Sequence, residues 1–174
     1  MSLESELRTW DRKSAKAIIE IHENNAADED LMDRLVSLAG VKDLEAGATW
    51  LLKHRLENAL DKLDPDLTLK LVDLLPGLSD WEAKLHCLQI FPHIASSGLS
   101  TETAWRFLLA CSREPNKFVR AWAYSGLHQL ALDHPAYREQ ARAVLEAAER
   151  SETAPSVRVR LRRALEQGLP EGPA

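Results

Sequence analysis

Four copies of one apolar pattern, each starting 37 or 38 residues after the last, constrain this chain more than any other feature. Each copy reads apolar, charged, two variable, apolar, two variable, then small or apolar. The copies are Leu44-Glu45 with Ala48 and Leu51; Trp81-Glu82 with Leu85 and Leu88; Val119-Arg120 with Ala123 and Gly126-Leu127; and Val157-Arg158 with Leu161 and Ala164-Leu165. Steps of three and four residues bring the apolar members onto one helix face. A period of this length holds two helices and their turns. Upstream of each copy lies another helical stripe: Leu31/Leu35/Leu38, Leu67/Leu71/Leu74, Ala104/Leu108/Cys111 and Tyr137/Ala141/Val144/Ala148. The chain therefore reads as helix pairs in which the four copies are the second helices.

Period-2 alternation is scarce, so no sheet is expected. Stops fall at Asn24-Asn25, Gly40, Asp64-Pro65, Pro76-Gly77, Ser96-Ser97-Gly98, Glu114-Pro115, His134-Pro135, Ala154-Pro155 and Gly168. Proline suits a first helical turn and glycine the position after a last one. The spacing predicts nine helices, near 13–24, 29–39, 43–60, 66–75, 80–95, 101–112, 117–132, 136–150 and 156–167, with a further short turn before Trp10. The whole of 1–174 is read as one domain. A capping helix at 13–24 precedes repeats near 28–63, 64–98, 99–133 and 134–168, and a disordered tail follows over 169–174.

Val119-Arg120 with Ala123 and Leu127, and Val157-Arg158 with Leu161, Ala164 and Leu165, resemble the second helix of a HEAT repeat. The resemblance covers about residues 28–168. It is clearest in the last two copies, whereas Glu45 and Glu82 stand where the family pattern carries arginine. It implies an all-α, right-handed α-α superhelix of the armadillo type. This would be a short HEAT-like solenoid of about four hairpins, with a gently concave face lined by the second helices. The terminal helices would cap its ends.

The formal charge is −5, and the pI near 5.7 gives no general attraction to polyanions. The charge is uneven: residues 1–99 hold 11 Lys/Arg and 18 Asp/Glu, and residues 100–174 hold 11 and 9. Cys87 and Cys111 fall within apolar helical patterns and in no CxxC, as buried thiols of a reducing compartment do. The polar start MSLESELRTWDRK lacks an apolar signal core, and no apolar run approaches a membrane span of about 20 residues. The expectation is a cytoplasmic protein without a membrane partner.

No motif for nucleotide, phosphate or zinc binding occurs, and no cofactor or metal is expected. His86 and Cys87 are neighbours about 100° apart on a helix, which does not make a dyad. His54 and Glu57 face the same way but are one pair, read as a surface pair, and di-metal bundles need several. His22-Glu23 is the one His-Glu dipeptide, whereas HEAT-like metal hydroxylases carry several. DNA alkylation repeat proteins, another HEAT-like group, use aromatic and basic residues on a concave face. Trp81, Trp105 and Trp122 with Arg106, Arg113, Lys117, Arg120, Arg158, Arg160, Arg162 and Arg163 are what this chain would bring to that role. Its acidic balance argues against phosphate binding, and Trp81 and Trp105 fall on stripes expected to be core.

The repeat register offers a sharper site. With the first residue of each second helix as offset 0, offsets 0, 4, 7 and 11 form the packed stripe, and offsets 2, 5, 6 and 9 lie opposite. Those opposite residues include Trp50, Lys53, His86, Ile90, Tyr124, His128 and Arg162. In the first three copies Lys53 is the one charged residue among them, unlike a merely solvated face. Uncharged rings on a shared face resemble an interface centre. The expected function is a non-enzymatic scaffold that binds a protein or peptide segment along this concave face. The alternative is burial of the second helices on both sides. A nucleic-acid binder and a HEAT-like enzyme or lyase accessory with a small ligand near His86 and Tyr124 are the rival functions.

Overall fold

The protein, represented by a computed structural model, is described over residues 1–95 and 101–170, and no strand occurs among those residues. Eleven α-helices are present there: α1 Leu3–Thr9, α2 Ala15–Asn25, α3 Leu31–Ala39, α4 Glu45–Glu57, α5 Pro65–Leu74, α6 Trp81–Gln89, α7 Phe91–Ala95, α8 Thr101–Cys111, α9 Lys117–Asp133, α10 Arg138–Ser151 and α11 Pro155–Gln167. Single 3-10 turns occupy Leu75–Gly77 and Pro135–Tyr137. The stop expected at Ser96-Ser97-Gly98 lies outside the described residues.

Local chemistry sets the helix starts. Side chains of Ser2, Ser14, Asp64, Asp80 and Asn116 each accept from a backbone N–H two or three residues on. That satisfies amides which a first helical turn leaves unpaired. Two departures from the nine expected helices have plain causes. The turn before Trp10 is a full helix, α1, because Leu3 and Leu7 find a buried place in the core. The segment expected as one helix over 80–95 breaks at Ile90, since Pro92 has no N–H to continue the ladder. At the far end Gly168 takes φ +69, ending α11 in a conformation that suits glycine. Leu169 then packs against the core, and residues 171–174 of the tail lie outside the described part.

The second helices pack each on the next: α4 on α6, α6 on α9, and α9 on α11. Of the first helices, α3 packs on α5 and α5 on α8, while α3/α4, α8/α9 and α10/α11 form pairs. Leu51, Leu88, Val119, Leu127, Val157 and Leu161 of the packed stripes are all buried. Trp81, expected in the core, is instead 43 % exposed, because it is the first residue of α6 and extends past the packed turns. α8 and α9 approach closely at Gly126, where an added Cβ would stand 2.5 Å from Leu108 Cδ2.

A polar clamp accompanies this stacking. The buried Glu45 carboxylate accepts from Ser79 N at 2.9 Å, Asp80 N at 2.7 Å and Ser79 Oγ at 3.1 Å, fastening α4 to the loop that opens α6. Lys84 of α6 pairs with Glu114 in the loop before α9. Arg120 of α9 grips Glu152, before α11, through Nε at 2.9 Å and Nη2 at 3.1 Å, while its Nη1 donates to the Glu114 and Pro115 carbonyls. Arg120 and adjacent backbone N–H groups hold the Glu152 carboxyl below its ordinary pKa against the opposing effect of burial. The charged residue at offset 1 thus reaches forward to the next second helix in the first and third copies, and either sign serves because the loop's groups are complementary.

Three substitutions at two positions test this packing. Leu161→Ala should cost about 2–5 kcal/mol, as buried leucine truncations do. Glu45→Ala should cost about 1.5–3 kcal/mol, the range for hydrogen bonds to a charged group, with Glu45→Gln recovering part of it. Urea unfolding of the three variants measures both; losses no larger than that of an exposed Lys16→Ala would contradict the register.

Candidate functional site

The seven residues expected to share an open face occupy four different settings. Trp50 is half-buried, and His54 stacks on its ring at 5.3 Å between centroids and 12° between planes. His54 also meets His22 edge-on at 4.9 Å. Arg55 Nη1 lies 2.9 Å from His22 Nε2. A guanidinium only donates, so His22 Nε2 is the acceptor and its ring is neutral. Burial first, then Arg55 and His54, push the His22 pKa down accordingly. The half-buried Lys53 pairs with Glu57, 3.1 Å away and one turn on.

His86 is half-buried, with Nδ1 3.0 Å from Thr49 Oγ1. The single Thr49 proton is directed at Glu45 O, 2.7 Å away, so His86 Nδ1–H donates to the hydroxyl oxygen. This bond joins offset 5 of α4 to offset 5 of α6. Burial, followed by nearby Lys53, lowers the His86 pKa to about 4.

Ile90, Tyr124 and His128 correct the expectation of an open face: they are 0 %, 6 % and 5 % exposed. Tyr124 OH donates to Ser112 O at the end of α8 (3.3 Å), and His128 Nε2 donates to Gly168 O after α11 (2.8 Å). The cause is lateral packing. α9 has α8 beneath it and α6 and α11 on its two sides, so residues opposite the first stripe still meet a neighbour. Arg162 alone of the seven is freely exposed, with no ion-pair partner among the described residues.

The surface that does remain open lies one helical step round. On α9 it runs through Phe118, Trp122, Ser125 and Gln129, residues that are exposed or half-buried at offsets −1, 3, 6 and 10. Trp122, Ser125 and Gln129 form one wall of a groove of about 220 Å³, and Arg160, Arg163 and Gln167 of α11 line it opposite. Phe91 and Pro92 close the α7 end. The Arg160 guanidinium lies 3.7 Å over the Trp122 ring, a cation–π stack. Its Nη1 is 3.5 Å from Ser125 Oγ, at the outer limit of a hydrogen bond. Burial and then the neighbouring Arg163 lower the Arg160 pKa, although a guanidinium stays charged at neutral pH. No aspartate or glutamate lines the groove among the described residues. The carboxylate bonded to its rim is Asp133, which accepts from Gln129 Nε2 at 3.0 Å.

Of the α9 offsets expected to lie open, 2, 5 and 9 are buried, and offset 6, at Ser125, is not. Trp122, Arg160 and Arg163 were visible in the sequence only as members of a basic and aromatic set. The signal that would have found them is the offset series 3, 6 and 10, read with neighbours on both sides of each second helix.

Other chemistry finds little footing. Both cysteines are buried, and burial pushes the Cys111 thiol up to about 12 and the Cys87 thiol higher still, so neither supplies a thiolate near neutrality. Among the described residues no group of three His, Cys, Asp or Glu side chains converges as a metal site, and no helix is long and apolar enough to cross a membrane. No family model, curated relative or solved structure matches the chain.

Two measurements follow from these settings. Tyr124→Ala should destabilise the protein by about 3–5 kcal/mol, as truncating a buried aromatic does, and Tyr124→Phe by about 1 kcal/mol for the hydroxyl's bond. A thermal melt separates these values from the near-zero change of an exposed position. The second concerns pH. His86 binds its proton near pH 4 when folded and near 6.5 when unfolded, so between those values the unfolded chain holds more protons. Stability should therefore fall as pH drops from 7 to 5, and His22, shifted the same way, adds to the slope. His86→Gln should flatten the slope; a wild-type stability that is constant over this window would contradict the settings of both histidines.

Proposed function

We propose that the protein is a non-enzymatic interaction scaffold, built as a short right-handed stack of HEAT-like hairpins, that binds a segment of a partner protein along its second-helix face. The observation that carries this reading is the groove between α9 and α11, where a tryptophan, two arginines and two glutamines face solvent beside Phe91 and Pro92. Tryptophan and arginine are the residues most often found as energetic anchors of interfaces. The binding surface moves accordingly from the buried Tyr124 and His128 to Trp122, Arg160 and Arg163. The 37- and 38-residue repeat and the contacts of α4, α6, α9 and α11 in order support the stacked arrangement.

A nucleic-acid reading draws on the same pairing of arginine with tryptophan. Two features weigh against it. Arg160 already covers a face of Trp122, which removes a platform for base stacking. The net charge of −5 repels a polyanion outside the groove.

A photo-reactive amino acid placed at Gln129 tests the proposal in cells of the source organism. The expected result is a discrete cross-linked protein, mapped by mass spectrometry to one segment, which disappears in the Trp122→Ala background. The same probe at Lys16, on α2, should not capture it. Equal capture from both positions, or capture of nucleic acid from Gln129, would overturn the reading.

A further inference from the structure

Resting on that reading, we infer that the groove between α9 and α11 is an anion seat that selects an acidic partner segment, with Arg160 and Arg163 receiving a carboxylate while Pro92 meets an adjoining apolar side chain.

The charge balance of the lining is the first reason. The chain as a whole carries more acids than bases, yet the groove holds two guanidiniums and no lining carboxylate among the described residues. Six arginines outside the groove are ion-paired: Arg8 with Glu4, Arg12 with Asp80 and Glu82, Arg34 with Asp28, Arg55 with Asp61, Arg106 with Glu102 and Arg120 with Glu152. Arg113, Arg138, Arg142, Arg150, Arg158 and Arg162 are not ion-paired among the described residues, but they do not line this groove. Arg160 and Arg163 have no ion-pair partner among the described residues. A positive pair held in a groove is completed by an anion from outside.

Preorganisation is the second reason. Arg160 is half-buried and fixed over Trp122, so its donors are already aimed and little side-chain freedom is left to lose on binding. A guanidinium fork matches the two oxygens of a carboxylate. Arg163, three residues on along α11, places a second positive charge near Arg160, and a bound carboxylate would relieve their repulsion.

Size and surroundings favour a protein acid over a nucleic acid. A space of about 220 Å³ seats one or two side chains and cannot follow a run of phosphates. The exposed Pro92 offers an apolar edge beside the arginines, with Phe91 buried beneath it, so the fitting ligand is an acidic residue next to a small apolar one. Further out along α9, Lys117 stands 5.3 Å from the ring of the exposed Phe118, repeating the same combination of cation and apolar surface.

The test is a titration of the full chain with a ten-residue peptide of alternating glutamate and leucine, against the same peptide with glutamine for glutamate. Binding is read by the indole N–H signal of Trp122 in NMR spectra and by anisotropy of a labelled peptide. The glutamate peptide should shift the Trp122 signal saturably, and the glutamine peptide should bind at least about tenfold more weakly, as loss of a charged fork demands. Arg163→Gln should cost a similar factor, whereas Arg150→Gln, the same charge change on an exposed part of α10, should not. Arg163 is exposed, so its replacement leaves the fold intact, and a melt of that variant verifies it. Equal binding of the two peptides at Trp122 overturns the anion seat while leaving a protein-binding groove. Failure of both peptides also overturns it, and the cross-link from Gln129 then decides the broader reading separately. A single-stranded oligonucleotide that shifts Trp122 more tightly than the glutamate peptide overturns both.

Discussion

The contact of each second helix with the next is the constraint from which the rest of this structure follows. α4, α6, α9 and α11 pack in order, and a polar clamp sits at each junction. Glu45 holds the loop at Ser79 and Asp80, Lys84 holds Glu114, and Arg120 holds Glu152. These clamps are directional, unlike the leucine and valine contacts beneath them. Apolar stripes alone allow neighbouring helices to slide by a turn; a carboxylate bound by two named amides does not. Burial makes each clamp consequential, because an unpaired Glu45 or Glu152 would lose water without recompense.

The same stacking decides where a partner can reach the protein. A helix flanked on both sides and supported from below has only a narrow strip left open. On α9 that strip passes through Phe118, Trp122, Ser125 and Gln129, while Tyr124 and His128 face neighbours. Where α9 meets α11, the strip becomes a groove with its arginines unpaired. The proposed binding site is thus a consequence of the packing.

The packed stripes were legible in the sequence because they depend on spacing within one helix. Leu51, Leu88, Val119, Val157 and Leu161 are buried as their offsets require. Most helix ends were legible too, since Asp64-Pro65, Ala154-Pro155 and Gly168 act locally. The break at Ile90 could have been taken from Pro92. The open face was not legible, and Tyr124 shows why. A helical wheel drawn against one partner makes offset 5 the far side, but the presence of a second and third partner is a tertiary fact. Trp81 is the converse case: it fits the stripe by spacing yet stands at the helix end, past the core. Glu45 looked like a departure from the family pattern, and its role emerged only with Ser79 and Asp80 placed opposite it.

The central claim is therefore about which side of α9 meets water. Hydroxyl-radical footprinting of the free protein, read residue by residue by mass spectrometry, tests it directly. Phe118 and Trp122 should be oxidised readily, and Tyr124, reactive as a free ring, should be strongly protected until the protein is unfolded. Oxidation of Tyr124 in the folded protein at a rate comparable to Phe118, with Trp122 protected, would contradict the packing of the second helices and the groove that depends on it.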